Sequence, residues 1–334
     1  MVKELQRNMG GQRVLITGGL GFIGSNLAQE CIKRGAEVTI YDNLDSRFGG
    51  NNFNIESVKN SINIVYGDVL DFENLSSQVR NKEIIFNCAA ATSHPFSMRE
   101  PFIDLDINCK GTLHLLEAIR KVNPKTRLVH LGTTTQIGRL RYSPADENHP
   151  EFPTDIYSTN KSASEKYVLV YSGTYKFPAT VVRLPNVFGP RAAIHSKEFN
   201  FVNYFIGLGL QNKPLTVYGD GSQVRNLLYI KDCVSALIHV AEREITSNNV
   251  LFAVGDKTYN VAEIANSIVK YIGGSVDFVD WPDGRKSIDV GDAIISNKRI
   301  KESLDWTPRY SLKEGLIETE EYYKNCLNNY LRLK

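Results

Sequence analysis

The chain has 334 residues, of which 42% are hydrophobic and 23% are charged, a composition typical of a folded globular protein and unlike that of a disordered one. Its 39 basic and 37 acidic residues nearly balance, so no broad basic surface for nucleic acid is expected. No apolar run approaches the roughly 18–20 residues of a membrane span, and the polar N-terminus lacks a secretory signal. Five scattered cysteines without metal-ligand spacing predict reduced thiols, no metal site and a cytoplasmic protein.

The first 190 residues alternate between short β-branched runs and helical patterns. Strands are predicted at Arg13–Thr17, Glu37–Tyr41, Ile62–Tyr66, Glu83–Cys88, Arg127–Leu131 and Ala179–Arg183, and long helices at Phe102–Lys121 and Tyr157–Thr174. This alternation predicts an α/β fold with a Rossmann-type, doubly wound parallel sheet.

After about residue 190 the elements become shorter, and glycine and proline separate them. We therefore predict two domains: residues 1–190 bind a dinucleotide, and residues 191–334 form a smaller, mixed α/β lobe that mainly binds substrate. The prediction leaves open that some C-terminal elements belong to the first domain.

A glycine-rich turn joins the first strand to the first helix. Gly18, Gly21 and Gly24 would permit the tight turn, the approach of a pyrophosphate and the packing of helix on strand. Such a pattern is specific only in its strand–turn–helix context, which is present here. Asp42 ends the second strand, 18 residues after Gly24, where a carboxylate would accept ribose hydroxyls and repel a 2′-phosphate. The predicted cofactor is therefore NAD.

Tyr157 and Lys161 stand four residues apart on one predicted helix, so their side chains share a face. We expect the Lys161 ammonium to lower the pKa of the Tyr157 phenol and make it a general acid or base. The spacing alone is common by chance, and an exposed helical pair is the alternative.

In chain order, the dinucleotide fingerprint, the threonines Thr133–Thr135 and the Tyr–Lys helix resemble the extended short-chain dehydrogenase/reductase superfamily. Within it, the chain is similar to the NAD-dependent nucleotide-sugar epimerases and dehydratases from about residue 12 to 323. Further matching segments are Asn108–Ala118, Arg183–Pro190 and Leu304–Pro308.

The resemblance implies a role for individual residues. Thr133 would hold the sugar 4-hydroxyl beside Tyr157, with Lys161 completing the catalytic set. The implied cofactor contacts are Gly18, Gly21, Phe22, Ile23, Asp42, Asn43, Asp68, Val69, Cys88, Ala89, Ala90, Tyr157, Lys161 and Leu184. The implied substrate contacts are Thr134, Thr135, Asn186, Asn200, Phe201, Thr216, Tyr218, Arg225 and Arg285, with Lys286 an alternative to the last. His94 either touches the sugar or has a structural role in its loop.

The residues after Thr133 bear on the reaction that the resemblance implies. Dehydratases of the family carry an Asp-Glu pair there, and decarboxylases carry a glutamate two residues on, whereas this chain has Thr134 and Thr135. The expected reaction is therefore 4-epimerisation of a UDP-hexose or UDP-hexuronate through a 4-keto sugar. A 4,6-dehydratase, 2-epimerase or ketoreductase are the alternatives, and a non-catalytic NAD-binding regulator is disfavoured because Tyr157 and Lys161 are present. The resemblance also implies a homodimer formed through the helices at 102–121 and 157–174.

Overall fold

The computed structural model describes residues 9–243, 248–282 and 290–331. Its strands are β1 (Arg13–Thr17), β2 (Glu37–Asp42), β3 (Asn63–Tyr66), β4 (Ile84–Asn87), β5 (Arg127–Thr133), β6 (Ala179–Leu184), β7 (Asn186–Phe188), β8 (Pro214–Tyr218), β9 (Val224–Tyr229), β10 (Asn249–Phe252), β11 (Thr258–Asn260) and β12 (Ser275–Val279). Seven of these strands form one parallel sheet in the order β10-β6-β5-β4-β1-β2-β3. The predicted doubly wound sheet is confirmed, and the strand order reverses direction between β1 and β4.

The helices of the described residues are α1 (Phe22–Lys33), α2 (Phe72–Val79), α3 (His94–Arg99), α4 (Pro101–Leu105), α5 (Gly111–Val122), α6 (Ile156–Tyr175), α7 (Phe201–Leu210), α8 (Ile230–Glu242), α9 (Val261–Tyr271), α10 (Lys298–Leu304) and α11 (Leu312–Lys324). The helix predicted at 102–121 comprises α4, a π-helical turn at Asp106–Lys110, and α5. The helix predicted at 157–174 is α6. In the part of the chain that the structure describes, no helix is both long and apolar enough to cross a membrane.

The smaller lobe contains two short sheets. Strands β11, β9 and β7 form one of them, and β8 pairs in parallel with β12 to form the other. Two elements that follow residue 190 lie with the main sheet instead: β10 pairs with β6, and α8 packs against α1. The division of the chain into domains at residue 190 stays a prediction.

Both faces of the main sheet are buried, as is usual for parallel strands. Alternate side chains of β1 show this: Val14 and Ile16 belong to one apolar cluster, and Leu15 belongs to another. All three are fully buried. The sheet is therefore a rigid platform, and the loops that follow its strands are held in place by its core.

A buried ion cluster ties β6 to α6 behind the carboxyl ends of the strands. The Arg183 guanidinium, 2% exposed, donates two hydrogen bonds to the Glu165 carboxylate, at 2.8 Å from Nε and 2.6 Å from Nη2. Arg183 also contacts Glu151, and Gln136 donates to Glu165 at 3.0 Å. Lys166 Nζ lies 2.9 Å from Glu165 as well. The fully buried Glu165 carboxylate is thus held by two basic side chains and one amide.

Candidate active site

A cavity lies where the strands of the main sheet end. Residues that follow β1 to β6 line it, together with residues 192–193, 199–200 and 203 of the smaller lobe. A crevice at the carboxyl ends of parallel strands, where the strand order reverses, is the usual ligand site of such a sheet. The predicted site residues that line it are Gly18, Gly21, Phe22, Ile23, Asp42, Asn43, Asp68, Val69, Cys88, Ala89, Ala90, Thr133, Thr134, Thr135, Tyr157, Lys161, Leu184, Asn186 and Asn200.

The turn between β1 and α1 can exist only with glycine at two of its positions. Gly18 has a φ of +67°, and a Cβ there would lie 2.7 Å from the backbone nitrogen of Ala89. A Cβ on Gly24 would lie 2.4 Å from the carbonyl oxygen of Gly18. Gly21 caps α1 without any side-chain hydrogen bond, so the amides of the first helical turn remain available to an anion. This cradle fits a diphosphate.

The Asp42 carboxylate stands at the end of β2 and is 8% exposed. Its Oδ2 accepts from the Leu20 amide at 2.9 Å and its Oδ1 from the Leu44 amide at 2.8 Å. Burial raises the pKa of Asp42, although the two amides oppose this effect. A carboxylate fixed in this way on the cavity wall fits the ribose hydroxyls of NAD, so the donors and acceptors at this end of the cavity suit the predicted cofactor.

Tyr157 and Lys161 lie on the first turns of α6, which Asp155 caps by accepting from the Ser158 amide. Lys161 is 4% exposed, and its Nζ donates to the carbonyl of Leu131 at 2.6 Å. Burial lowers the pKa of Lys161 to about 8. Lys161 is therefore buried in the site, with Tyr157 half-buried beside it, rather than exposed on a helix surface.

The expected lowering of the Tyr157 pKa is not found in the chain. Burial raises the pKa of Tyr157, the negative charges of Asp104 and Asp155 raise it further, and a hydrogen bond with Thr133 opposes these effects. The loss of solvation on burial is the largest of these effects. In the free chain the Tyr157 hydroxyl is therefore a phenol, which donates a hydrogen bond.

A chain of polar contacts links the threonines to His94. Thr133 Oγ1 lies 3.0 Å from Thr135 Oγ1, and Ser158 Oγ donates to Thr135 Oγ1 at 2.9 Å. Ser158 Oγ also lies 3.2 Å from Asp155 Oδ2, which is 2.8 Å from Nδ1 of His94. The His94 ring packs edge-on to the Tyr157 ring, with the centroids 4.8 Å apart. Sequence reasoning missed Asp155 and Ser158, although an aspartate two residues before the tyrosine is a recognisable helix cap.

Four predicted substrate residues do not line this cavity: Phe201, Thr216, Tyr218 and Arg225. Arg225 donates to the carbonyls of Val224 and Gly291, and the Tyr218 ring lies 5.5 Å from that of Trp281. Arg285 and its alternative Lys286 lie outside the described residues. The structure thus brings together the predicted cofactor and catalytic residues, but only part of the predicted substrate set.

Some residues that line the cavity were not assigned from the sequence as ligand contacts. Asn203 and Phe199 border it from the smaller lobe, and Phe48 borders it from the loop after β2. Asn203 follows Asn200, which caps α7 by accepting from the Val202 amide at 2.9 Å. No local motif marks these positions, because only the packing of the lobe brings them to the cavity.

Comparison with known proteins gives a consistent result. The model of the NAD dependent epimerase/dehydratase family matches residues 14–262. A UDP-glucose 4-epimerase of Mycolicibacterium smegmatis is 29% identical over 94% of this chain and 99% of its own. A dTDP-D-glucose 4,6-dehydratase of Bos taurus is 28% identical over 96% of this chain and 90% of its own. The structure of UDP-glucose 4-epimerase from Thermotoga maritima with UDP-glucose superimposes with a TM-score of 0.86, at 28% identity, over 95% of this chain and all of that one.

Proposed function

Because the chain belongs to the NAD dependent epimerase/dehydratase family, we propose that it is a cytoplasmic nucleotide-sugar 4-epimerase. It is an enzyme of a family that acts on nucleotide sugars, and its cofactor is NAD. The proposed substrate is a UDP-hexose or UDP-hexuronate, which passes through a transient 4-keto sugar. Relatives of similar identity include both an epimerase and a dehydratase, so the site itself has to support one reaction over the other.

The observation that carries the proposal is the pair of hydroxyls at Thr134 and Thr135, which line the cavity directly after Thr133. Elimination of water requires an acid that protonates the departing hydroxyl. Of the carboxylates among the described lining residues, Asp42 ends β2, and Asp45 and Asp68 lie in the loops after β2 and β3. The threonines bind hydroxyl groups and supply no acid for a leaving group, which favours epimerisation.

Residues at different positions along the cavity would have different roles. The first turn of α1 and Asp42 would hold NAD, and Asn186 would contact the substrate diphosphate. The bound cofactor would supply an acceptor and donor of the hydride at the sugar carbon. Thr133 and Tyr157 would bind the hydroxyl at the carbon that is oxidised. In its phenolate form, Tyr157 would take the proton of this hydroxyl during the oxidation and give it back when the hydride returns. Lys161, fixed by the Leu131 carbonyl, keeps a cationic group at the base of the site.

Incubation with NAD and each of UDP-glucose, UDP-N-acetylglucosamine and UDP-glucuronate tests the proposal. We expect at least one 4-epimer, identified by NMR, with no net consumption of NAD. A 4-keto-6-deoxy sugar from dTDP-glucose, or a pentose from UDP-glucuronate, would show elimination or decarboxylation instead and would contradict the assignment to an epimerase.

We also propose that the protein is a homodimer. Helices α4 and α5 pack against α6, and this region exposes Phe102 by 79%, Val170 by 61% and Leu105 by 44%. Large exposed apolar side chains grouped on one surface are typical of protein interfaces. These three fall in the two helices through which the family resemblance implied association.

Substitution of Phe102 by glutamate should therefore convert the dimer into a monomer, because a carboxylate cannot be buried in an apolar interface without a partner. Light scattering after size exclusion measures the mass. The matched control is Phe278→Glu, since Phe278 is 53% exposed on β12 of the smaller lobe and should leave the mass unchanged. A wild-type monomer would refute the proposal.

A further inference from the structure

The end of the cavity beside Tyr157 carries an ionisable side chain that the proposed epimerisation does not use. Among the titratable lining residues near Tyr157, Tyr157 and Lys161 belong to the predicted catalytic set and Cys88 to the predicted cofactor contacts, which leaves the imidazole of His94 without an assigned role. Its side chain is 36% exposed. The imidazole is therefore partly accessible from the cavity and partly covered by the protein.

Asp155 fixes both the orientation and the tautomer of this imidazole. The carboxylate is 18% exposed and accepts from the Ser158 amide at 2.8 Å as well as approaching His94 Nδ1 at 2.8 Å. Burial alone would raise the pKa of Asp155, but the hydrogen bonds from His94 and Ser158 outweigh it and the pKa is lowered. An ionised carboxylate only accepts hydrogen bonds, so Nδ1 carries the hydrogen that faces Asp155, and Nε2 is the ring nitrogen that can act as a base.

We propose that His94 takes and returns the proton of the ring carbon next to the transient ketone of the sugar. The inference rests on the proposed function, since the proton becomes acidic only after the neighbouring carbon is oxidised. The C–H bond breaks, its proton goes to Nε2, and its electron pair forms an enolate whose negative charge lies on the former ketone oxygen. Return of the proton restores the ketone, so no other reactant is needed.

The partner of His94 in this step is Tyr157. Its ring is in edge-on contact with the imidazole at 4.8 Å, which places the two groups beside the same part of a bound sugar. Burial keeps the Tyr157 hydroxyl protonated, so it can donate to the oxygen on which the enolate charge develops. A base oriented by a carboxylate and a phenolic acid beside it are the two groups that enolisation requires.

Turnover in D2O tests this role. We expect the recovered nucleotide sugar to contain deuterium at a carbon adjacent to the oxidised one, as measured by NMR. His94→Asn should reduce this incorporation about 100-fold or more, because the amide can still donate to Asp155 while the base at Nε2 is lost. Epimer formation should fall far less, since hydride transfer does not need His94. His239→Asn is the control, because His239 bonds to the Ser235 carbonyl on α8 and does not line the cavity.

A second variant tests the orientation without removing the base. Asp155→Asn keeps a residue that can cap α6 but no longer forces the hydrogen onto Nδ1. Nitrogen-15 NMR of the free protein should show His94 as the Nδ1–H tautomer in the wild type and a changed tautomer ratio in the variant. A wild-type ring that carries its hydrogen on Nε2 would overturn the assignment without any reference to turnover.

The outcomes separate the two proposals. Epimer without deuterium at the adjacent carbon, or deuterium incorporation that is unchanged in His94→Asn, overturns the role of His94 and leaves the epimerase intact. Failure to turn over any nucleotide sugar overturns the proposed function and the role of His94 with it. Deuterium incorporation that disappears in His94→Asn while hydride transfer continues supports both proposals.

Discussion

Replacement of Tyr157 by phenylalanine should lower kcat about 100- to 10,000-fold and change KM little. The hydroxyl is the only group removed, so the aromatic contact with His94 and the start of α6 should persist. The rate falls because the substitution removes the group that transfers the proton when the sugar hydroxyl is oxidised. A neighbouring threonine cannot take over this role, because its hydroxyl is far less acidic than a phenol. Initial rates with the nucleotide sugar identified by the substrate panel give both constants.

Tyr175→Phe is the control for this prediction, because Tyr175 ends the same helix and is 45% exposed. Binding of NAD, followed by the shift in melting temperature, should be similar in both variants. If Tyr157→Phe retained more than about a tenth of the wild-type kcat, Tyr157 would not be the group that transfers the proton.

Replacement of Arg183 by leucine should lower the free energy of unfolding by about 3–5 kcal/mol. The substitution leaves the fully buried Glu165 carboxylate without its bidentate partner and with Lys166, at 2.9 Å, as its remaining cationic contact among the described residues. Glu151 loses a contact as well. Urea denaturation followed by circular dichroism measures the change.

Two further variants show whether the cause is the loss of the buried partner of the Glu165 carboxylate. Arg183→Leu combined with Glu165→Gln should regain part of the stability, because the carboxylate charge is removed with its partner. Arg13→Leu breaks the pair with Glu83, in which both side chains are 48% exposed, and should cost at most about 1 kcal/mol. Equal losses for Arg183→Leu and Arg13→Leu would contradict the importance of the buried cluster.

The features that the sequence predicted well are those fixed by short-range geometry. The strand, the glycine turn and the helix that contain Gly18, Gly21 and Gly24 occupy about 20 consecutive residues, and parallel pairing of β1 with β2 brings Asp42 to the same edge. The spacing of Tyr157 and Lys161 sets a common helix face in the same way. The geometry of such a pattern follows from the spacing of its residues along the chain, so the pattern can be recognised before any fold is known.

The features that the sequence did not predict depend on tertiary packing. His94 and Asp155 are 61 residues apart in the chain and meet only because α3 packs beside α6. The pKa of Tyr157 is governed by burial, which no spacing reports. The π-helical turn at Asp106–Lys110 interrupts a pattern that reads as one continuous helix. Contacts of Arg225 with backbone carbonyls likewise follow from the path of distant segments.

The pairing of β10 with β6 limits which fragments of the chain can contain a complete main sheet. A fragment that stopped at residue 190 would contain six of the seven strands but would leave one side of β6, a strand with every residue buried, without a neighbour. An unpaired apolar strand of this kind invites association with other chains. The polypeptide leaves the main sheet after β6 and returns to complete it at β10, so the nucleotide-binding half is finished only after much of the smaller lobe has been synthesised.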